Sequence, residues 1–550
     1  MGRKRLIVAA FRSLRQIWSD QPRKNQNQRL GSQPPDLKTQ PQRIGIGLVS
    51  LASIGYIWSV GYFSDDFSYL QYQAAQDSVW GALTPNNPFI SLILEQYTHV
   101  FSLYFSSLES AWLPQILKTL YVIACLYMCG RFFSLFMPPA LGQVASFLFV
   151  FFPTHESTVY WYLGQYLMLT ISLYFYAYYL TCRQAFSLAV VFAFMASFIS
   201  YGSPAPAAAM TILAWRKLGR RQALLLLGPN LLYAVYYVIT SEVMGLGIQR
   251  LNDSAPLVLF RQFIFQILTF IDATIGPSIW MKLFYGLGEL TILSAVLTLV
   301  GLGVFWRTCS LKASLLAFRG DRDLVYALAV MTLVAFGILA ITGRYPNIAF
   351  NLGNRTNIFG TAFLTYLLLW AWSRTRFVTV VILLLIFSTT GISNHWKKWS
   401  AIQAKAITDI QGTLEDNPQI ETLFVSGMQY SRLGAFDHIE LLSEAWVVTS
   451  ITELLTEGRV TARPLNSNHK LTDDGRLHDI RYDEYHQIPE TLYVLDFYVR
   501  DLRMIPRRQL NEYLATLPQP QRHWLQTMKN KFIQRWILKL MPRLGYVFAA

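Results

Sequence analysis

The sequence predicts a polytopic α-helical membrane protein of about eleven spans, followed by a small C-terminal α/β domain in water. Three observations predict this. The 550-residue chain is 53% hydrophobic and only 14% charged, too few charges to cover a water-facing surface of that size. The apolar residues gather in runs of roughly 17 to 25, the length that crosses a hydrocarbon layer of about 30 Å as a helix. The short loops between runs alternate between basic and charge-poor, as membrane topology requires.

Residues 1–43 carry ten Lys or Arg against two acidic residues and are rich in Gln and Pro, which reads as a cytoplasmic basic tail. Spans are expected near 44–62, 111–130, 139–153, 157–180, 185–201, 204–215, 222–245, 288–306, 324–342, 356–373 and 377–392, together forming a transmembrane domain over 44–393. With the tail inside, the inner loops carry Arg131, Arg183, the cluster Arg216, Lys217, Arg220 and Arg221, then Arg307, Lys312, Arg319 and Arg322, and lastly Arg374 and Arg376. The first outer loop, 63–110, contains no Lys or Arg. The apolar stretch 257–280 would spoil this alternation as a span and is placed on the outer surface as an interfacial or re-entrant element.

At Asn394 the composition turns mixed and charged, and an odd number of spans puts 394–550 outside the membrane. Glu421–Met428 and Thr491–Val499 read as buried strands, and Phe436–Glu457 has helical apolar spacing. After Pro520 no acidic residue occurs. Trp524, Met528, Phe532, Trp536 and Leu540 recur every fourth residue among Lys529, Lys531, Arg535 and Lys539, the pattern of a basic amphipathic helix lying on anionic headgroups.

Three outer-surface segments carry candidate chemistry. Asp65 and Asp66 open the first outer loop, where reduced solvation raises a carboxyl pKa toward that of a general base; helix capping is the competing role. The turn from Phe152 to Gly164 holds His155 and Glu156, able to orient a sugar or support a base, or else to cap and snorkel. The loop 343–355 holds Arg344 and Arg355 where outer loops are normally poor in arginine, and guanidinium groups match phosphate oxygens bidentately. Lys118, inside the second span, is costly enough to suspect a part in holding the same phosphate, and Arg250, Arg261 and Lys282 could add positive charge.

The net charge of +15 is accounted for by topology rather than nucleic acid. Four cysteines, Cys125, Cys129, Cys182 and Cys309, form no disulfide framework or CxxC pair. The sequence has no P-loop, no GxGxxG opening a helix, no HExxH and no GxSxG, which argues against an ATP-driven pump, a membrane zinc protease and a Rossmann enzyme. No metal-ligand cluster stands out, although the adjacent carboxylates Asp65 and Asp66 could bind Mg²⁺.

These segments resemble the GT-C superfamily of integral-membrane glycosyltransferases, which take a sugar from a polyprenyl phosphate carrier. The acidic pair at the first outer loop, the many spans and the outer soluble domain carry the likeness. The segment Pro153-Thr154-His155-Glu156-Ser157-Thr158-Val159-Tyr160-Trp161-Tyr162-Leu163-Gly164 looks like the H-x-E-x-V-x-W-x-x-G turn of tetratricopeptide-bearing O-mannosyltransferases. The C-terminal domain has no tetratricopeptide period, and Glu156 to Val159 is one residue longer than that pattern, so protein O-mannosylation is not implied. The resemblance implies a GT-C-like fold and inverting transfer from a lipid-linked donor to a hydroxyl of a glycan, lipid or protein at the outer surface. Asp65 or Asp66 would be the base, His155 and Glu156 would position substrate, and Arg344, Arg355 and Lys118 would hold the donor phosphate. A transporter or flippase of lipid-linked saccharides and a non-catalytic scaffold are the alternatives. The expected location is a bacterial cytoplasmic membrane, with the N-terminus inside and the C-terminal domain outside.

Overall fold

A computed structural model describes residues 57–82, 100–240, 255–308, 311–342 and 347–527, with 532 and 535. The basic tail, most of the first expected span, Arg344, Cys309 and most of the C-terminal amphipathic helix lie outside the described residues. The described chain is an integral-membrane protein with several apolar spans and a soluble C-terminal α/β domain.

The helical part begins with α1 (Asp66–Ala74) and α2 (Val79–Ala82) and continues through α3 (Trp112–Phe133), α4 (Pro139–Val150) and the short α5 (Ser157–Tyr160). Next come α6 (Gln165–Cys182), α7 (Phe186–Ile199), α8 (Pro204–Lys217) and α9 (Arg220–Val238). The remainder comprises α10 (Pro256–Thr274), α11 (Pro277–Gly288), α12 (Ile292–Thr308), α13 (Leu311–Ala317), α14 (Arg322–Thr342), α15 (Ile358–Trp372) and α16 (Val378–Asp416).

Among the described residues, four of these units are long and apolar enough to cross a membrane: α3, the 33-residue α10–α11 unit, α14 and α16. The pair α12 and α13, bent by 65°, makes a fifth if it is a single broken span. This overturns the expected eleven spans. The apolar runs at 139–153, 185–201, 204–215 and 356–373 fold into helices of 12, 14, 14 and 15 residues. At 1.5 Å per residue these reach only about 18–22 Å, short of the hydrocarbon thickness. Helices α6 and α9 have 18 and 19 residues but not the composition: α6 carries five tyrosines, and α9 carries Arg220, Arg221, Gln222 and Asn230. The placement of 257–280 on the outer surface is also corrected, because this segment continues into α11 as one apolar unit of spanning length. Short breaks divide apolar runs that hydropathy alone reads as spans, whereas 256–288 is continuous enough to cross.

Helix α16 has 39 residues, about 58 Å long. Its apolar first half accounts for one bilayer crossing, and the remainder projects beyond it to the soluble domain. The stretch Ser388–Trp396 is buried throughout because α16 crosses α11 at backbone contact. A Cβ built on Gly391 would lie 1.8 Å from the Gly286 carbonyl oxygen, so only glycine fits there. The hydroxyls in this stretch turn to neighbouring backbone: Ser388 Oγ donates to Leu283 O at 2.8 Å and Thr389 Oγ1 to Phe151 O at 2.9 Å.

In the C-terminal domain, β1 (Thr422–Ser426), β2 (Tyr430–Leu433), β3 (Phe436–Glu440), α17 (Ala445–Thr456), β4 (Thr461–Leu465), β5 (His469–Leu471), β6 (Leu477–Asp479), β7 (Glu484–His486), β8 (Thr491–Asp496), β9 (Asp501–Pro506) and α18 (Leu510–Thr516) follow in order. The main sheet runs β4-β1-β8-β9, with β1 parallel to both β4 and β8 and β9 antiparallel at the edge. The two expected strands are β1 and β8. The apolar stretch read as one helix over 436–457 divides into β3, a turn, and α17. Its first five residues pair with β2 as a hairpin, so tertiary pairing overrides the local helical spacing. Helix α17 packs against β4 on one side and α1 on the other. That contact brings the soluble domain onto the acidic pair.

Candidate functional site at the seam between membrane helices and soluble domain

The acidic pair follows a strained turn. Ser64 is buried and adopts φ +49°, a left-handed conformation rare for a residue with a Cβ and one that clusters at functional sites. The next two side chains diverge. Asp66 is sealed, its Oδ2 accepting the Phe63 amide at 3.1 Å. Burial pushes its carboxyl up to about 7, against the Phe63 amide and the nearby Lys118 ammonium, which hold it down. Asp65 is half-buried and faces the soluble domain, where the Trp446 indole N–H donates to its Oδ1 at 2.9 Å. It occupies the N-cap position of α1 but makes no capping hydrogen bond. Burial raises its pKa, while the charge of Arg355 opposes the rise and Glu440 adds to it.

Trp161 joins the two halves of this site. Its indole donates to Phe63 O at 3.0 Å, fixing the backbone just before the acidic pair, and the Arg355 guanidinium lies over its ring at 4.6 Å. Trp161 therefore ties the backbone beside Asp65 to Arg355, residues 290 positions apart in the chain. The turn around it is tight: a Cβ on Gly164 would sit 2.7 Å from Ser157 O.

His155 and Glu156 lie buried on the same turn, and Glu156 points into a closed cluster. Glu156 receives Lys282 Nζ at 2.8 Å on both oxygens and Asn354 Nδ2 at 2.7 Å, and His438 Nε2 lies 2.9 Å from its Oε1. Lys282 also donates to Ala349 O. Burial pushes the Glu156 carboxyl up, but Lys282 and His438 more than offset this and hold it at about 2. The His438 ring takes the Asn351 amide on Nδ1 at 3.3 Å, so the neutral imidazole carries its proton on Nε2, toward Glu156. Burial holds that imidazole down to about 3 and His155 down to about 4. The His155 Nδ1–H donates to Thr158 Oγ1 at 2.9 Å, whose own proton goes back to His155 O.

Lys118 is not at the seam. Its ammonium is buried among backbone carbonyls, 2.6 Å from Val60 O and 3.4 Å from both Gly61 O and Tyr160 O, and its charge acts on Asp66. Of the expected residues, Asp65 lies at the seam within the field of Arg355, Asp66 and Lys118 form a buried neighbourhood, Glu156 lies in the closed cluster, and His155 is buried beside it against Thr158, Phe149 and Phe152.

Several residues here escaped the sequence reading. Trp446, His438, Glu440, Glu444 and Asn354 carry no spacing signal toward Asp65 or Glu156. Lys282 was expected only as one more outer cation. Among the described residues, no group of three or more His, Cys, Asp or Glu side chains is arranged to hold a metal ion.

No family model, curated protein or solved structure matches this chain. The likeness to GT-C enzymes consequently rests on short segments alone, and no family is assigned.

Proposed function

We propose that this membrane protein is a glycosyltransferase that moves a sugar from a polyprenyl phosphate to a hydroxyl acceptor, at the membrane face that bears the C-terminal domain. The observation carrying this reading is the half-buried Asp65 at a partly open seam, touched by the Trp446 indole and within the field of the Arg355 guanidinium, which rests on Trp161. A carboxylate with a raised pKa beside a guanidinium supplies the two groups the reaction needs most. Asp65 takes the proton of the acceptor hydroxyl as its oxygen bonds to the anomeric carbon, and the bond from that carbon to the phosphate oxygen breaks on the opposite face with inversion. Arg355 stabilises the departing phosphate anion. A phosphate monoester or diester leaves without protonation, so one base is enough.

The difference in exposure favours Asp65 over Asp66 as the base. Asp66 and Lys118 instead hold the strained turn in place. We assign Glu156 and His155 a supporting part, since Glu156, through Asn354, fixes the turn that carries Arg355. Arg344 remains a proposed second ligand to the phosphate. A carrier for lipid-linked saccharides would require a passable polar path, and the buried hydroxyls on α16 are instead bonded to backbone carbonyls of α11, of Phe151 and of α16 itself.

The test uses the purified full chain in lipid with a panel of polyprenyl phosphate sugars, monitoring transfer and slow hydrolysis. Wild type is expected to turn over at least one donor, Asp65→Asn to bind it without turnover, and Asp66→Asn to retain measurable chemistry once folded. If no donor is turned over, or Asp65→Asn matches wild type, the proposal fails and a scaffold becomes the better account.

A further inference from the structure

On the soluble-domain side of Asp65, two aromatic side chains stand half-open. Trp446 and Tyr482 are each 39% exposed, with ring centroids 5.6 Å apart and planes at 67°, so they form a corner rather than a stack. The edge of this corner is the Trp446 N–H that touches Asp65. Behind it, the buried Glu444 accepts the Tyr482 hydroxyl on Oε2 at 2.7 Å and pairs with Arg481 through Oε1. The Arg481 guanidinium lies 5.0 Å over the Tyr482 ring and 4.0 Å from Glu440 Oε1, which accepts Asn351 Nδ2 at 2.9 Å. Large aromatic surfaces are normally buried, and here Glu444, with its oxygens taken by Tyr482 and Arg481, fixes a pair that keeps more than a third of its surface open.

We propose that this corner is a binding site for a neutral carbohydrate, and that Trp446 and Tyr482 supply its stacking faces while Glu440 and Arg481 meet its hydroxyls. Aromatic rings offer broad apolar faces with a polar tip, which suits a sugar ring whose C–H faces are apolar and whose rim is hydroxylated. Carboxylate and guanidinium groups provide directional acceptors and donors for that rim. The charges select the class. Glu440 and Glu444 are balanced by Arg481 and by Arg522, whose charges both act on Glu444, and Asp65 at the edge is offset by Arg355, so the wall has no net charge to attract an ion. A ring held in this corner lies beside Asp65, the position of an acceptor. Only that word, acceptor, rests on the proposed transferase reading; binding does not.

The experiment is saturation-transfer NMR and calorimetric titration on the full chain in lipid nanodiscs, with linear tetrasaccharides of glucose, mannose and N-acetylglucosamine as probes. At least one tetrasaccharide is expected to bind, Trp446→Ala and Tyr482→Ala to weaken it at least tenfold, and Tyr482→Phe to keep most of the binding. Tyr485→Ala, an exposed tyrosine on β7 stacked on His478, should change binding less than twofold. Trp446 also packs at the seam, so if its variant does not fold, Tyr482→Ala decides. The site is refuted if none of the three probes binds wild type, or if binding survives Tyr482→Ala unchanged. Donor turnover measured on the same wild-type sample separates the two readings. Sugar binding without turnover leaves this site standing and removes the transferase. Turnover without sugar binding does the reverse.

Discussion

Two sites that set a carboxylate near a cation flank the turn bearing Trp161, and they differ in almost everything except their chemistry. Glu156 with Lys282 is closed, every oxygen being claimed by ammonium, amide or imidazole. Asp65 with Arg355 is open on one side and borrows its second neighbour, Trp446, from another domain. A buried pair with all its hydrogen bonds made stabilises a conformation but has nothing left for a ligand. A half-open pair whose carboxylate is strained upward in pKa holds capacity in reserve. On the proposed reading, the first site serves as scaffold and the second carries the chemistry.

The largest effect expected from breaking this contrast is at the open site. Asp65→Asn should lower turnover by about 10²- to 10⁴-fold, the usual contribution of a general base, with the melting temperature nearly unchanged. Glu156→Gln should do the opposite. It leaves Lys282 buried beside no counter-charge, at a cost of roughly 3–5 kcal/mol in stability, measurable as loss of folded protein in detergent or lipid. A smaller loss, about 1–3 kcal/mol, is expected for Gly391→Ala, which forces the α11–α16 crossing apart without touching either carboxylate.

The pH responses sharpen the same distinction. Because burial raises the Asp65 pKa, the acidic limb of kcat/KM should lie above the 3.8 of a free aspartate, and Arg355→Gln should move it higher still by removing the opposing charge. Glu156 is held below its ordinary 4.5, so its stabilising contribution is complete above that value and is lost as pH falls toward about 2. A thermal-melt series across that window, compared with Glu156→Gln, should show the variant losing this dependence.

Part of this site was legible from residue order. Asp65, Asp66 and the His155–Gly164 turn stand out because acidic pairs and Trp-x-x-Gly turns at the ends of apolar runs are local features. The choice between the two aspartates was not legible, since it follows from Ser64 turning the backbone and from α17 arriving with Trp446, 381 residues away. The partners of Glu156 are 126 and 198 residues distant at Lys282 and Asn354, and no period or motif links them. Strands β1 and β8 were recognisable as short buried runs, whereas β3 was hidden by apolar spacing that also fits a helix. The span count failed for a related reason. An apolar run states that a segment is buried, but helix breaks such as Phe151–Glu156 decide whether it is long enough to cross a bilayer.

The uninterrupted α16 has a consequence for engineering. It leaves the membrane and ends only six residues before β1, so it fixes both the height and the rotational phase of the soluble domain. Removing one residue beyond Trp396 would shorten it by about 1.5 Å and turn everything after it by about 100°. The indole that reaches Asp65 would then swing to another side of the axle, and only a deletion of three or four residues would bring it back near its original bearing.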